Sequence, residues 1–372
     1  MNTVATDTDT IERMPMWAWT GPAGASLLLA LTLTGVVRTA TGIVLVLAAI
    51  FLGWAVFAAV HHAEVVALRV GEPFGSILLA VAVTVIEVAL IVSLMLSASA
   101  DSATFARDTV YSAVMIVLNG VVGACLLIGG ARHHQQSFQA QGAAAALGVL
   151  GTLATIALIL PNYTLATPGP AFSPAQLLYI GAASLCLYAV FIFVQSVRHR
   201  DYFLTDAPDG SDAEAHHAPP TMRATQISAL LLCVALVAVV LLAKTLSYPL
   251  KQAIVSAGLP ASFVGVIIAA VVLLPEATAA YTAARANRLQ TSLNLALGSA
   301  IASIGLTVPV VAVVSVWLKQ PLALGIPPSQ IVLLALTLFI STLTLATGRT
   351  TVLQGAIHLV IFGVFLLLAI VP

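Results

Sequence analysis

Two glutamates at matching places in two apolar stretches are the residues of this chain best suited to chemistry. The segment "FGSILLAVAVTVIE" ends at Glu87, and "FVGVIIAAVVLLPE" ends at Glu276. Both open on a Phe thirteen residues before the acid (Phe74, Phe263), and both follow a G-x-P, at Gly71 to Pro73 and Gly258 to Pro260. They also share Ala80 with Ala269 and Val83 with Val272. Of fourteen acids, only these two fall well within apolar runs, and no Lys or Arg falls there to pair with them. A central acidic side chain facing lipid costs about 2.5 to 3.5 kcal/mol, so both must face protein, water or a cation.

The stretch after each acid repeats too. "SAVMIVLNGVVGACL" from Ser112 aligns without gaps with "SLNLALGSAIASIGL" from Ser292, setting Asn119 against Ser299 and Gly123 against Ser303. Spacings of seven and four put Ser112, Asn119 and Gly123 on one helical face, and Ser292, Ser299, Ser303 and Thr307 on its counterpart. Pro275 has no N–H for the carbonyl of Val271 and is expected to break the helix beside Glu276, freeing a backbone oxygen. Ile86 holds that place in the first copy, where Thr84 offers a hydroxyl one turn before Glu87.

Elements that span a membrane must position these groups. The chain has 372 residues, 60% hydrophobic and 8% charged, beyond what a soluble core requires. Eleven apolar runs can cross about 30 Å of hydrocarbon: residues 22–38, 41–60, 73–97, 110–130, 143–161, 172–197, 224–243, 259–284, 290–317, 326–346 and 352–371. Without period-two alternation they are helices. Five spans separate equivalent helices, and an odd number of crossings inverts the second copy. The expected fold is an all-α polytopic membrane protein, one leading helix plus two inverted five-helix repeats. The boundaries are 1–40 for the tail and first helix, 41–197 for the first repeat, 198–223 for an acidic linker and 224–372 for the second repeat. Nine of the fourteen Lys and Arg fall inside if the amino terminus is cytoplasmic, which places the carboxyl terminus outside. The tail lacks the basic start and clear cleavage site of a signal peptide, so the first span is expected to stay in the mature protein. A formal net charge of zero gives no reason to expect nucleic acid as a partner.

Other candidates have plain readings. Cys125, Cys186 and Cys233 each lie alone in a span and read as small packing residues, with neither a disulfide nor a zinc site expected. Asp206, Asp209, Asp212 and Glu214 of the linker could gather cations, with His216 and His217 as a pH-sensitive addition, but they lack EF-hand spacing and a solvated linker is the favoured reading. His61, His62, Glu64 and Glu72 at the cytoplasmic mouth could relay protons or sense pH, but a solvated loop is the favoured reading; Asp101 and Asp108 could draw cations at the outer mouth, but a surface reading is favoured there too. His358 reads as a histidine hydrogen-bonded between helices, and Gly120, Gly123 and Gly298 as sites of close helix approach. The spans hold no Asp, HExxH or GxSxG on which an intramembrane enzyme could be built, and no cofactor is expected beyond the transported ions.

Residues 61–95, 106–130 and 274–309 together resemble the calcium/proton antiporters of the calcium/cation antiporter superfamily, particularly the bacterial branch. The resemblance implies exchange of Ca2+ for H+ by alternating access in a bacterial inner membrane, with Ca2+, H+ and the lipid bilayer as partners. It places the transport glutamates on Glu87 and Glu276 and takes Asn119 and Ser299 or Ser303 from the second helices. Many relatives carry an Asn or Gln deeper in those helices, where this chain has Cys125 or Ala302, and a Gly-Asn pair before the acid. The residues themselves agree: Ca2+ is a hard cation taking six to eight oxygen ligands. The two glutamates supply the charge, and Asn119, Ser299, Ser303, Thr84 and carbonyls near Pro275 can complete the shell. Protons and metal would then compete for the same oxygens. A Na+ or K+/H+ antiporter could use the same glutamates with fewer ligands, and a cation channel is a more distant reading.

Overall fold

The computed structural model describes residues 14–35, 42–71, 74–96, 103–204, 220–320 and 322–372. Among them are eleven helices long and apolar enough to cross a membrane, so the chain is an integral membrane protein. They are α1 Met16–Leu33, α2 Gly42–Val70, α3 Phe74–Met95, α4 Phe105–His133, α5 Ala140–Tyr163, α6 Pro174–Arg198, α7 Met222–Ser256, α8 Phe263–Arg285, α9 Leu289–Leu318, α10 Pro328–Leu345 and α11 Val352–Ile370. Local signals set several ends. Helices α6 and α10 begin on prolines, whose missing N–H costs nothing in a first turn. Ser173 and Gln176 close a reciprocal cap on α6, and Gly258 and Gly348 turn the chain at positive φ.

The chain divides into two compact units, each drawn from both halves of the sequence: Met1–Ala89 with Asp209–Pro249, and Leu90–Pro208 with Leu250–Pro372. In the first, α1 lies along α2, and the Trp54 indole on α2 donates to the carbonyl of Trp17 at 2.9 Å. Helix α2 runs about ten residues past the expected span, which overturns the reading of His61, His62 and Glu64 as a solvated loop. Glu64 is exposed, but His62 is fully buried. The reason is a proline: Pro22 lies inside the continuous helix α1 and, lacking an N–H, leaves the carbonyl of Ala18 without its helical donor. His62 Nε2 lies 3.0 Å from that oxygen, while Nδ1 lies 3.3 Å from the hydroxyl of Ser228 on α7. One imidazole thus joins three helices.

In the second unit α4 is the most buried span, packed along α8 and α11, while α9 runs along α6 and α8. Close approach of α4 and α11 depends on Gly123: a Cβ there would lie 2.9 Å from Cβ of His358. Gly120 likewise faces Phe362, but at Gly298 none of the described residues lies within 4 Å of a Cβ, so among them the expected close approach is absent. Asp108 is buried, against the surface reading, because Arg107 pairs with it at 2.8 Å and also donates to the carbonyl of Gly325. Cys125 packs against Ala280 and Ala284, whereas Cys186 and Cys233 are exposed on their helices rather than packed. A two-stranded antiparallel ladder, β1 Gln136–Ser137 against β2 Arg349–Thr350, ties the α4–α5 connection to the α10–α11 connection. The side chain of Gln136 extends this tie to the end of α8, donating to the carbonyl of Ala284 and to Asn287 at 3.0 Å each.

Candidate functional site

Helix α3 carries Glu87 with only 4% of its surface exposed, directly after the buried Ile86. Thr84 is buried three residues earlier, and its hydroxyl donates to the carbonyl of Ala80 at 2.8 Å. That bond uses the hydrogen and leaves oxygen lone pairs free to accept or to ligate. Glu87 and Thr84 belong to the first compact unit.

Pro275, Glu276, Asn119, Ser299 and Ser303 belong to the second. Pro275 is buried and Glu276 half-buried on α8. The expected helix break does not occur: α8 continues as one helix from Phe263 to Arg285. What Pro275 changes is hydrogen bonding, since it cannot serve the carbonyl of Val271, and the turn is held from the other side by Thr278, which donates to the carbonyl of Pro275 at 2.7 Å. On α9, Ser299 is half-buried, with Ser303 and Thr307 buried along the same face.

The discontinuity lies instead in α4, where Ile116–Val121 is a π-helical turn with Asn119 inside it. Such turns widen the backbone locally and recur at functional positions. Asn119 is fully buried and both ends of its amide are engaged. Its nitrogen donates to the Thr337 hydroxyl at 3.0 Å, and its oxygen lies 3.2 Å from His358 Nδ1. His358 Nε2 in turn lies 3.2 Å from the Thr344 hydroxyl. The reading of His358 as a link between helices therefore holds, and the group it links to is a proposed cation ligand. Thr337 and Thr344 were not singled out from the sequence. With Ser341 between them they form a buried stripe at spacings of four and three along α10, a signal the apolar background hides.

Among the described residues no cluster of three or more His, Cys, Asp or Glu could hold a metal as a dedicated cage. An apolar groove of about 590 Å³ between α5 and α10, lined by Leu147, Gly151, Leu338 and Leu345, contains none of the candidate residues. Glu72, Asp101 and the linker residues Asp206, Asp209, Asp212, Glu214, His216 and His217 lie outside the described residues.

A family model described as sodium/calcium exchanger protein matches residues 40–197 and 227–371. The chain is 55% identical over 96% of its length to y4hA of Sinorhizobium fredii, covering 97% of that protein, whose name marks it provisionally as an ionic transporter. It is 36% identical over 84% of its length to ChaA of Escherichia coli, named as a sodium-potassium/proton antiporter, and covers 84% of it. The crystal structure of an H+/Ca2+ exchanger, CAX, superposes with a TM-score of 0.71 at 14% identity, over 95% of this chain and 89% of that one.

Proposed function

Because the chain belongs to the sodium/calcium exchanger family, whose fold and family are those of membrane ion transporters, we propose that it exchanges Ca2+ for H+ by alternating access. The observation that carries this reading is the duplicated acid: Glu87 and Glu276 recur at one place in two inverted repeats, each within a membrane-spanning helix. A buried carboxylate without a cation carries a large solvation cost, which a bound metal or a bound proton removes. Two such groups balance one Ca2+ or two protons, and a site holding neither resists crossing the membrane. Coupling then follows from competition for the same oxygens, and movement between inverted halves supplies alternating access. The oxygens of Thr84, Ser299, Ser303 and Asn119, with the carbonyl that Pro275 leaves unserved, are the proposed neutral ligands of a hard cation. The arginine and lysine distribution supports an amino terminus on the cytoplasmic side, and the resemblance to bacterial antiporters supports a bacterial inner-membrane setting.

The identity to ChaA favours a second reading, exchange of Na+ or K+ for H+ through the same carboxylates. Reconstituted vesicles under an imposed pH gradient separate the two. Radioactive Ca2+ uptake that collapses with the gradient is the expected result. Uptake of Na+ or K+ alone would replace the calcium reading with the monovalent one, and ion conductance without proton counterflow would remove both.

A further inference from the structure

We propose that His358 is a positioning residue for cation exchange: it fixes the orientation of the Asn119 amide and thereby sets the affinity for the transported ion. The inference rests on the reading that Asn119 contributes an oxygen to the cation.

An asparagine amide has nearly identical shape either way up, so only its partners decide whether oxygen or nitrogen faces a given direction. Here the nitrogen donates to Thr337, which assigns the oxygen to the His358 side. For that oxygen to accept, His358 must carry its hydrogen on Nδ1, leaving Nε2 as an acceptor for the Thr344 hydroxyl. The chain Thr344, His358, Asn119, Thr337 is then polarised in one direction, with every link buried. Gly123, one turn beyond Asn119, admits the histidine at this depth, since any larger residue would meet its Cβ. One lone pair of the amide oxygen accepts from His358 and the second stays available to a cation. Removing the imidazole frees the amide to turn over and present N–H groups, which repel a cation. Preorganisation of this kind changes affinity rather than the capacity to turn over.

The experiment measures KM and kcat for cation exchange in vesicles, and equilibrium binding of Ca2+ and of Na+ to the purified protein, for wild type, His358→Leu, His358→Asn, His358→Gln, Asn119→Leu and the double leucine variant. His358→Leu is expected to raise KM and the dissociation constant tenfold or more, with kcat within about twofold of wild type. His358→Asn, whose short amide reaches the Nδ1 position, restores affinity, while His358→Gln, which reaches the Nε2 position, does not. The double variant is no weaker than Asn119→Leu alone, as required of residues acting through one another. Wild-type affinity in His358→Leu overturns the proposal, as does an equal loss of kcat and membrane insertion across all three His358 variants. Absence of exchange in the wild type would count against the exchanger reading instead, and the binding measurements would still decide the role of His358.

Discussion

The side-chain oxygen of Asn119 and Nδ1 of His358 lie 3.2 Å apart, although 239 residues separate them in the chain. This contact joins a helix of the first repeat to the last helix of the second, and it sits at the one π-helical turn that holds a candidate ligand. Polar pairs between membrane helices contribute about 0.6 to 2 kcal/mol each. That is too little to hold a fold by itself but enough to set the direction in which an amide points.

Neutralising either repeated acid should stop transport. Glu87→Gln and Glu276→Gln each keep the shape of the side chain, so the protein is expected to insert and fold while exchange falls to background. Vesicle uptake alongside a folding readout such as detergent gel filtration checks this. Wild-type transport in both variants would exclude them as the coupling pair.

Acidifying the side from which the cation binds should weaken binding, because protons occupy the same carboxylates. The expected result is a KM that rises as pH falls, with maximal rate recovered at saturating cation. A KM independent of pH would separate the proton site from the cation site.

His62 should matter for stability rather than for ions. His62→Leu strands the carbonyl of Ala18 and the hydroxyl of Ser228, an expected loss of about 1 to 3 kcal/mol in thermal or denaturant unfolding in detergent. Pro22→Ala restores a helical donor to that carbonyl, so the double variant should lose less than the sum of the single ones. Additive losses would mean that the imidazole is not serving the proline-freed oxygen.

Two glycines predicted alike from the sequence should respond in opposite ways. Gly123→Ala forces a methyl against His358 and Leu359 and is expected to destabilise by about 1 to 3 kcal/mol. Gly298→Ala meets no atom of the described residues within 4 Å and should be neutral or gain up to about 1 kcal/mol from helix propensity. Parallel melting curves of the two variants provide the check.

The spans are readable because twenty-residue apolar runs have few other uses, and the twin acids stand out because nothing else well inside those runs is charged. Where the reading failed, the missing information was a partner distant in sequence. His62 looks like a loop residue until Pro22, forty residues earlier, is seen to leave the carbonyl of Ala18 without a donor. Asp108 reads as surface until its neighbour Arg107, which pairs with it, is seen to donate to the carbonyl of Gly325, 218 residues away. Gly123 and Gly298 are indistinguishable locally, since the helix that presses on one and spares the other is set by tertiary packing. The π-turn at Asn119 leaves no mark in composition, because Ile116–Val121 is as apolar as its neighbours.

The leading helix is easily taken for an appendage to a ten-helix transport core. The bond from His62 to the carbonyl left open by Pro22 argues otherwise: a protein trimmed to begin at α2 would turn a bare imidazole nitrogen toward hydrocarbon. Shortened versions made for crystallisation or for tagging would carry that defect from the start, so the first helix belongs in any minimal working form.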